Sequence, residues 1–120
     1  MSEGALNEGA GGEGARRKAY IRAIKMLAGR SRTASEIKEG LATRGFPPQV
    51  VELVTCALLE EGLLDDGSFA REIILRGQER GKGRERIYTE LRRRGISRAL
   101  AEESLREYFH TERERAAAKE

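Results

Sequence analysis

The 120-residue sequence contains no tryptophan, one cysteine, one histidine, two prolines and three phenylalanines. A single cysteine, Cys56, excludes an intramolecular disulfide and fits a reducing cytoplasm. Its expected place is the core, where a thiol packs as a small apolar group. The single histidine, His110, has no nucleophile or orienting acid beside it and gives no basis for a catalytic residue. Scarce proline and phenylalanine, against abundant Arg, Glu, Leu and Ala, favour helices over sheets. No run of about 18 apolar residues is present, and the N-terminus is acidic and glycine-rich where a signal peptide would be basic and then apolar. These absences lead to the expectation of an all-α, cytoplasmic protein with no membrane partner, no enzymatic activity, no cofactor and no metal.

What the sequence has in plenty is charge. Charged residues make up 36% of the chain and apolar residues 38%, with a formal net charge of +3. That composition suits one modest core and leaves little room for a large catalytic cleft. The distribution is more telling than the sum: residues 1–14 carry −3, 15–44 carry +7, 45–70 carry −5, 73–98 carry +6 and 99–120 carry −2. Two cationic stretches separated by an anionic one make a better footprint for a polyanion or an acidic partner than the net charge suggests.

Residues 1–15 read as a disordered Gly/Glu-rich tail with almost nothing to bury. From Arg16, Tyr20, Ala23, Ile24 and Leu27 recur at helical spacing up to Gly29. Thr33-Ala34-Ser35-Glu36 forms a capping box that opens a second helix carrying Ile37 and Leu41. Gly45 ends that helix in a Schellman-type stop, with Phe46 folded back onto Leu41. Pro47-Pro48 starts a third helix whose Val50, Val51, Leu53, Val54, Ala57, Leu58 and Leu59 cover more than half its circumference. Gly62 stops it, with Leu63 expected against Leu58.

The second half repeats the first. Superposing Gly45 on Gly95 aligns Ile37 with Ile87, Leu41 with Leu91, Arg44 with Arg94, Phe46 with Ile96 and Val50 with Leu100, all at one offset of 50 residues. One residue of slippage pairs Tyr20 with Phe69, which makes residues 66–80 the counterpart of the first helix. The expected architecture is two tandem three-helix repeats of about six helices, with repeat one at 16–64, repeat two at 65–115 and a frayed end at 116–120. Stacked helical repeats present elongated surfaces that suit binding more than catalysis.

GLLDDGSFA at 62–70 followed by GKGRERIYTELRRRGI at 81–96 resembles the RecX family, regulators of the bacterial RecA recombinase. The Asp pair, the Phe-Ala, the Arg-x-x-Ile-x-x-Glu-Leu run and the closing Arg-Gly-Ile carry the similarity, which extends through roughly residues 16–110. The resemblance implies tandem three-helix repeats that bind in the groove of a RecA filament and limit its ATPase, strand-exchange and co-protease activities, in DNA repair and recombination. The family usually carries a third repeat, whereas this sequence reaches a charged run after the second. Gly67-Ser68 stands where the family more often has bulkier polar residues.

Asp65 and Asp66 could be read as a metal or general-acid pair, but a divalent cation wants several converging ligands that neighbours in sequence do not supply. The expected role is architectural: Asp65 as N-cap, Asp66 in the first turn of the next helix, and Leu64 stapled to Phe69. The candidate binding residues lie downstream. On a helix of 84–94, Ile87, Tyr88 and Leu91 mark the inward face, while Arg86 and Arg93 fall within about 20° of each other on the opposite side. Arg92 and Arg94 flank them, Lys82 stands in a Gly-Lys-Gly loop, and Arg76, Arg80 and Arg84 add charge along the approach. The expected partner is a RecA filament, with direct contact to single- or double-stranded DNA also open, and the protein is expected as a monomer or weak dimer. The alternative is a small sequence-independent nucleic-acid-binding protein that does not act on RecA. A sequence-reading helix-turn-helix is disfavoured because its recognition helix would fall in the −5 block of residues 45–70 and repel phosphates.

Overall fold

The computed structural model describes residues 12–111 and Glu114. The expected tail over 1–11 and the frayed end over 116–120 lie outside the described residues. Six helices follow in order: α1 (Glu13–Gly29), α2 (Ala34–Thr43), α3 (Pro48–Glu60), α4 (Asp66–Glu79), α5 (Arg84–Arg93) and α6 (Arg98–Tyr108), with no strand among the described residues. The chain is therefore all-α, as the composition and periodicity lead one to expect. It divides into two compact units between Asp66 and Gly67.

In the first unit, α1 begins at Glu13, so residues 13–15 belong to a helix and not to the tail. Its deepest stripe is Ala15, Ala19 and Ala23, with Tyr20, Ile24 and Leu27 partly buried beside it. Small side chains at that stripe let the neighbouring helices approach closely. The Tyr20 phenol leans outward instead and donates to Glu61 Oε1 at 2.6 Å, a bond that holds its proton above the ordinary value of 10.0. The capping box forms in full: Thr33 Oγ1 accepts from the Glu36 N–H, and Glu36 Oε1 accepts from the Thr33 N–H, each at 3.1 Å. Ile37, Leu41, Val50, Val54, Leu58 and Leu64 complete this core.

α3 departs from expectation on its outer face. Cys56 is exposed, not buried. The buried positions are Val50, Val51, Val54, Thr55 and Leu58, and Thr55 is admitted because its hydroxyl donates to Val51 O at 2.7 Å. Leu53 and Leu59 stay 49% and 43% exposed, so the helix buries a narrower face than its apolar content implies. At the stop after it, Leu63 is half exposed and Leu64 is the residue that packs.

The second unit reuses the frame. α2 and α5 begin and end at positions 50 apart, and both stop at a left-handed glycine, Gly45 at φ 92° and Gly95 at φ 90°. In each, the residue after the glycine donates to the buried leucine of the helix: Phe46 N–H to Leu41 O at 3.2 Å, and Ile96 N–H to Leu91 O at 3.0 Å. The second core gathers Phe69, Ile73, Ile74, Ile87, Leu91, Ile96 and Leu105. Gln78, buried at the end of α4, fastens the end of α6 by donating to Tyr108 O at 3.0 Å and accepting from the His110 N–H at 2.9 Å.

Candidate functional site

α5 carries most of the candidate cations. Ile87 and Leu91 turn inward and are fully buried, and Tyr88 is half-buried beside them. That orientation leaves Arg84, Arg86, Arg92 and Arg93 exposed. Arg86 and Arg93, seven residues apart, share the outward face at a rise of about 10 Å. Among the described residues, Arg80, Arg84, Arg86 and Arg93 have no carboxylate within ion-pair distance.

The other candidates are engaged in holding the unit together. Arg76 pairs with Glu72 one turn earlier on α4. Lys82 reaches Glu90 at 3.1 Å and is largely covered, so the Gly-Lys-Gly loop is pinned to α5. Arg92 donates to Ile96 O at 2.9 Å, bracing the turn after the helix. Arg94 lies over the Phe69 ring, 4.7 Å from its centroid, and Arg71, not singled out in sequence, lies 5.4 Å from that of Tyr108. These contacts join residues up to 37 positions apart, and no local pattern announces them.

The start of α5 breaks the usual rules of helix chemistry. A helix N-terminus carries partial positive charge and prefers anions, yet Arg84 and Arg86 stand in this first turn beside Glu85. The N-cap is Gly83, which makes no side-chain capping bond. At the equivalent positions of α2, 50 residues earlier, Thr33 and Glu36 form the capping box. The second repeat thus has Gly for the cap and Arg86 for the glutamate.

Among the described residues no group of three His, Cys, Asp or Glu side chains converges around Asp65 and Asp66. α4 begins at Asp66, which puts Asp65 at the N-cap position. Asp66 Oδ1 accepts from the Ala34 N–H at 2.9 Å, so this carboxylate ties the chain leaving the first unit to the start of α2. Its burial pushes its proton affinity up; the Ala34 bond and Lys38 oppose this, and Asp65 and Glu36 add to it. Of the two residues of the expected staple, Leu64 is buried in the first core cluster and Phe69 in the second.

No described helix is long and apolar enough to cross a membrane. Two family models match the chain: "RecX, first three-helix domain" over residues 19–54 and "RecX, second three-helix domain" over residues 65–105. A "Regulatory protein RecX" of Halorhodospira halophila is 45% identical over 83 residues, covering 69% of this chain and 52% of the relative. One of Prosthecochloris aestuarii is 41% identical over 93 residues, covering 77% and 62%. The crystal structure of RecX from Lactobacillus salivarius superposes with a TM-score of 0.72 at 23% identity, over 78% of this chain and 62% of that one, a likeness of fold. The chain spans about half the length of the curated relatives it matches. With both of its repeats matched in order and relatives of this identity, the chain belongs to the RecX family.

Proposed function

We propose that the chain acts on RecA, lowering its ATPase and recombinase activity by binding the RecA–DNA filament through the cations at the start and outer face of α5. The observation that carries this reading is the first turn of α5. Arg84 and Arg86 stand on either side of Glu85 with no ion-paired carboxylate among the described residues, where the helix dipole disfavours cations, and Gly83 replaces a capping residue. A sequence that gives up local stability at one turn, while keeping it at the equivalent turn of the other repeat, is consistent with a partner that uses the cations. Arg86 and Arg93 then supply two planar donors on one face, suited to the carboxylates of a protein surface or to phosphates.

The test is titration of the protein into RecA assembled on single-stranded DNA, with ATP hydrolysis followed at each concentration. Wild-type protein is expected to depress hydrolysis at micromolar concentration, and Arg86→Glu/Arg93→Glu to need at least ten times more protein with an unchanged melting temperature. Hydrolysis unaffected by the wild-type protein would refute the reading.

A further inference from the structure

A second cationic feature lies in the first unit, where α1 and α2 flank a groove of ≈ 960 Å³. Lys18 and Arg22 line it from α1, Arg30 from just past the end of that helix, and Arg32 and Arg44 from the segments on either side of α2. Successive four-residue steps along a helix rise about 6 Å, so Lys18 and Arg22 form a short row that Arg30 extends beyond Met26. Among the described residues, Lys18, Arg22, Arg30 and Arg44 have no carboxylate within ion-pair distance. Arg32 donates through Nε to Met26 O at 2.9 Å, which fixes its guanidinium and leaves the terminal nitrogens as donors. The groove holds two carboxylates, Glu36 and Glu39, and Glu36 already accepts from the Thr33 N–H.

The lining between the cations is apolar. Met26 and Phe46 are half-buried, and Gly40 faces Met26 without a side chain of its own. Cations in a row beside a thioether and an aromatic ring match what a single strand of nucleic acid presents: phosphates at regular intervals, with base faces free to stack. An acidic protein surface would engage the cations and leave the apolar lining without a partner. A duplex keeps its bases stacked inside and offers nothing to Phe46.

We propose that this first-repeat groove is a separate binding site for single-stranded nucleic acid, holding the sugar–phosphate backbone on Lys18, Arg22 and Arg30 with bases against Phe46 and Met26. The site is built from residues of the first unit alone and does not depend on RecA. The experiment is fluorescence anisotropy of a labelled oligothymidylate with the full chain, without RecA, over a series of salt concentrations. Lys18→Glu/Arg30→Glu, which changes two exposed side chains, is expected to weaken binding at least tenfold. The slope of log affinity against log salt should shrink by about 1.4, two phosphate contacts at about 0.7 each. Lys18→Gln/Arg30→Gln, the milder pair, should move both quantities in the same direction. Arg86→Glu/Arg93→Glu should leave at least half of the affinity, which separates this site from the α5 reading. Unchanged affinity and slope in both Lys18/Arg30 pairs, with helical content intact by circular dichroism, would overturn the proposal. Displacement of the oligonucleotide by polyglutamate at equal charge concentration would also overturn it, in favour of an acidic protein partner.

Discussion

Fifty residues apart, α2 and α5 share a length, a fully buried Ile–Leu pair and a left-handed glycine stop, yet their first turns are chemically opposed. α2 opens on a complete capping box, Thr33 with Glu36. α5 opens on Gly83, with Arg86 where the glutamate stood. The cations of the first repeat lie mainly on α1 and beside α2, whereas those of the second concentrate on α5. Duplication kept the positions that bury apolar surface and released the surface between them. The inward pattern is held by packing, which penalises a lost methylene by about 1 kcal/mol; a solvated charge answers to no such constraint, and surface changes usually cost within about 0.5 kcal/mol.

The shared frame can be challenged first where it is deepest. Leu41→Ala and Leu91→Ala remove equivalent, fully buried side chains, and each is expected to cost about 2–5 kcal/mol in chemical denaturation. A several-fold inequality between them would break the equivalence of the two cores.

The repeats should part company at their close-packed glycines. A methyl at Gly77 would sit 2.8 Å from Cγ1 of the buried Ile87, a β-branched side chain with little freedom to move. At Gly40 it would meet the thioether end of the half-buried Met26, which can swing aside. Gly77→Ala is therefore expected to destabilise by about 1–3 kcal/mol and Gly40→Ala by less than about 1 kcal/mol, with a gain open to it from helix propensity. Paired melting curves decide this, and equal losses would contradict the packing described.

A smaller effect comes from giving the second repeat the first repeat's cap. Gly83 has an extended backbone at φ −76°, and a Cβ there would meet nothing within 4 Å. Gly83→Thr/Arg86→Glu is expected to raise stability by about 1 kcal/mol.

The least effect is expected at Asp66. Its proton affinity is raised, mainly by burial, above the ordinary value of 3.8. The folded protein thus keeps a proton that the unfolded chain has released, and this group's contribution to stability falls as pH rises from about 3.8 through the raised folded value. Asp66→Asn keeps an oxygen for the Ala34 N–H and removes the charge. It should change stability at neutral pH by less than about 0.5 kcal/mol and flatten that part of the pH profile, whereas Asp66→Ala, which loses the bond, should destabilise by about 1 kcal/mol.

The helices, their stops and the duplication were legible because each rests on local chemistry: a glycine with left-handed φ, a capping pair three residues apart, a leucine at a fixed offset. What escaped the sequence depends on distant partners. Arg94 and Lys82 look like free cations until Phe69 and Glu90 are brought to them. Asp66 looks like part of a pair with Asp65 until Ala34 arrives from 32 residues earlier. Cys56 and Leu53 are exposed because α3 has more apolar residues than its contact face can bury, and composition does not say which of them lose. Gln78 gave no signal at all; only the fold reveals that both ends of its amide are used.

The claim that α5 gave up its cap to present arginines is tested most directly by adding the recapped protein, Gly83→Thr/Arg86→Glu, to RecA on single-stranded DNA, beside Gly83→Thr alone. The expected result is a more stable protein whose effect on ATP hydrolysis is at least tenfold weaker, with Gly83→Thr alone as potent as the wild type. A recapped protein that depresses hydrolysis as strongly as the wild type would contradict the account.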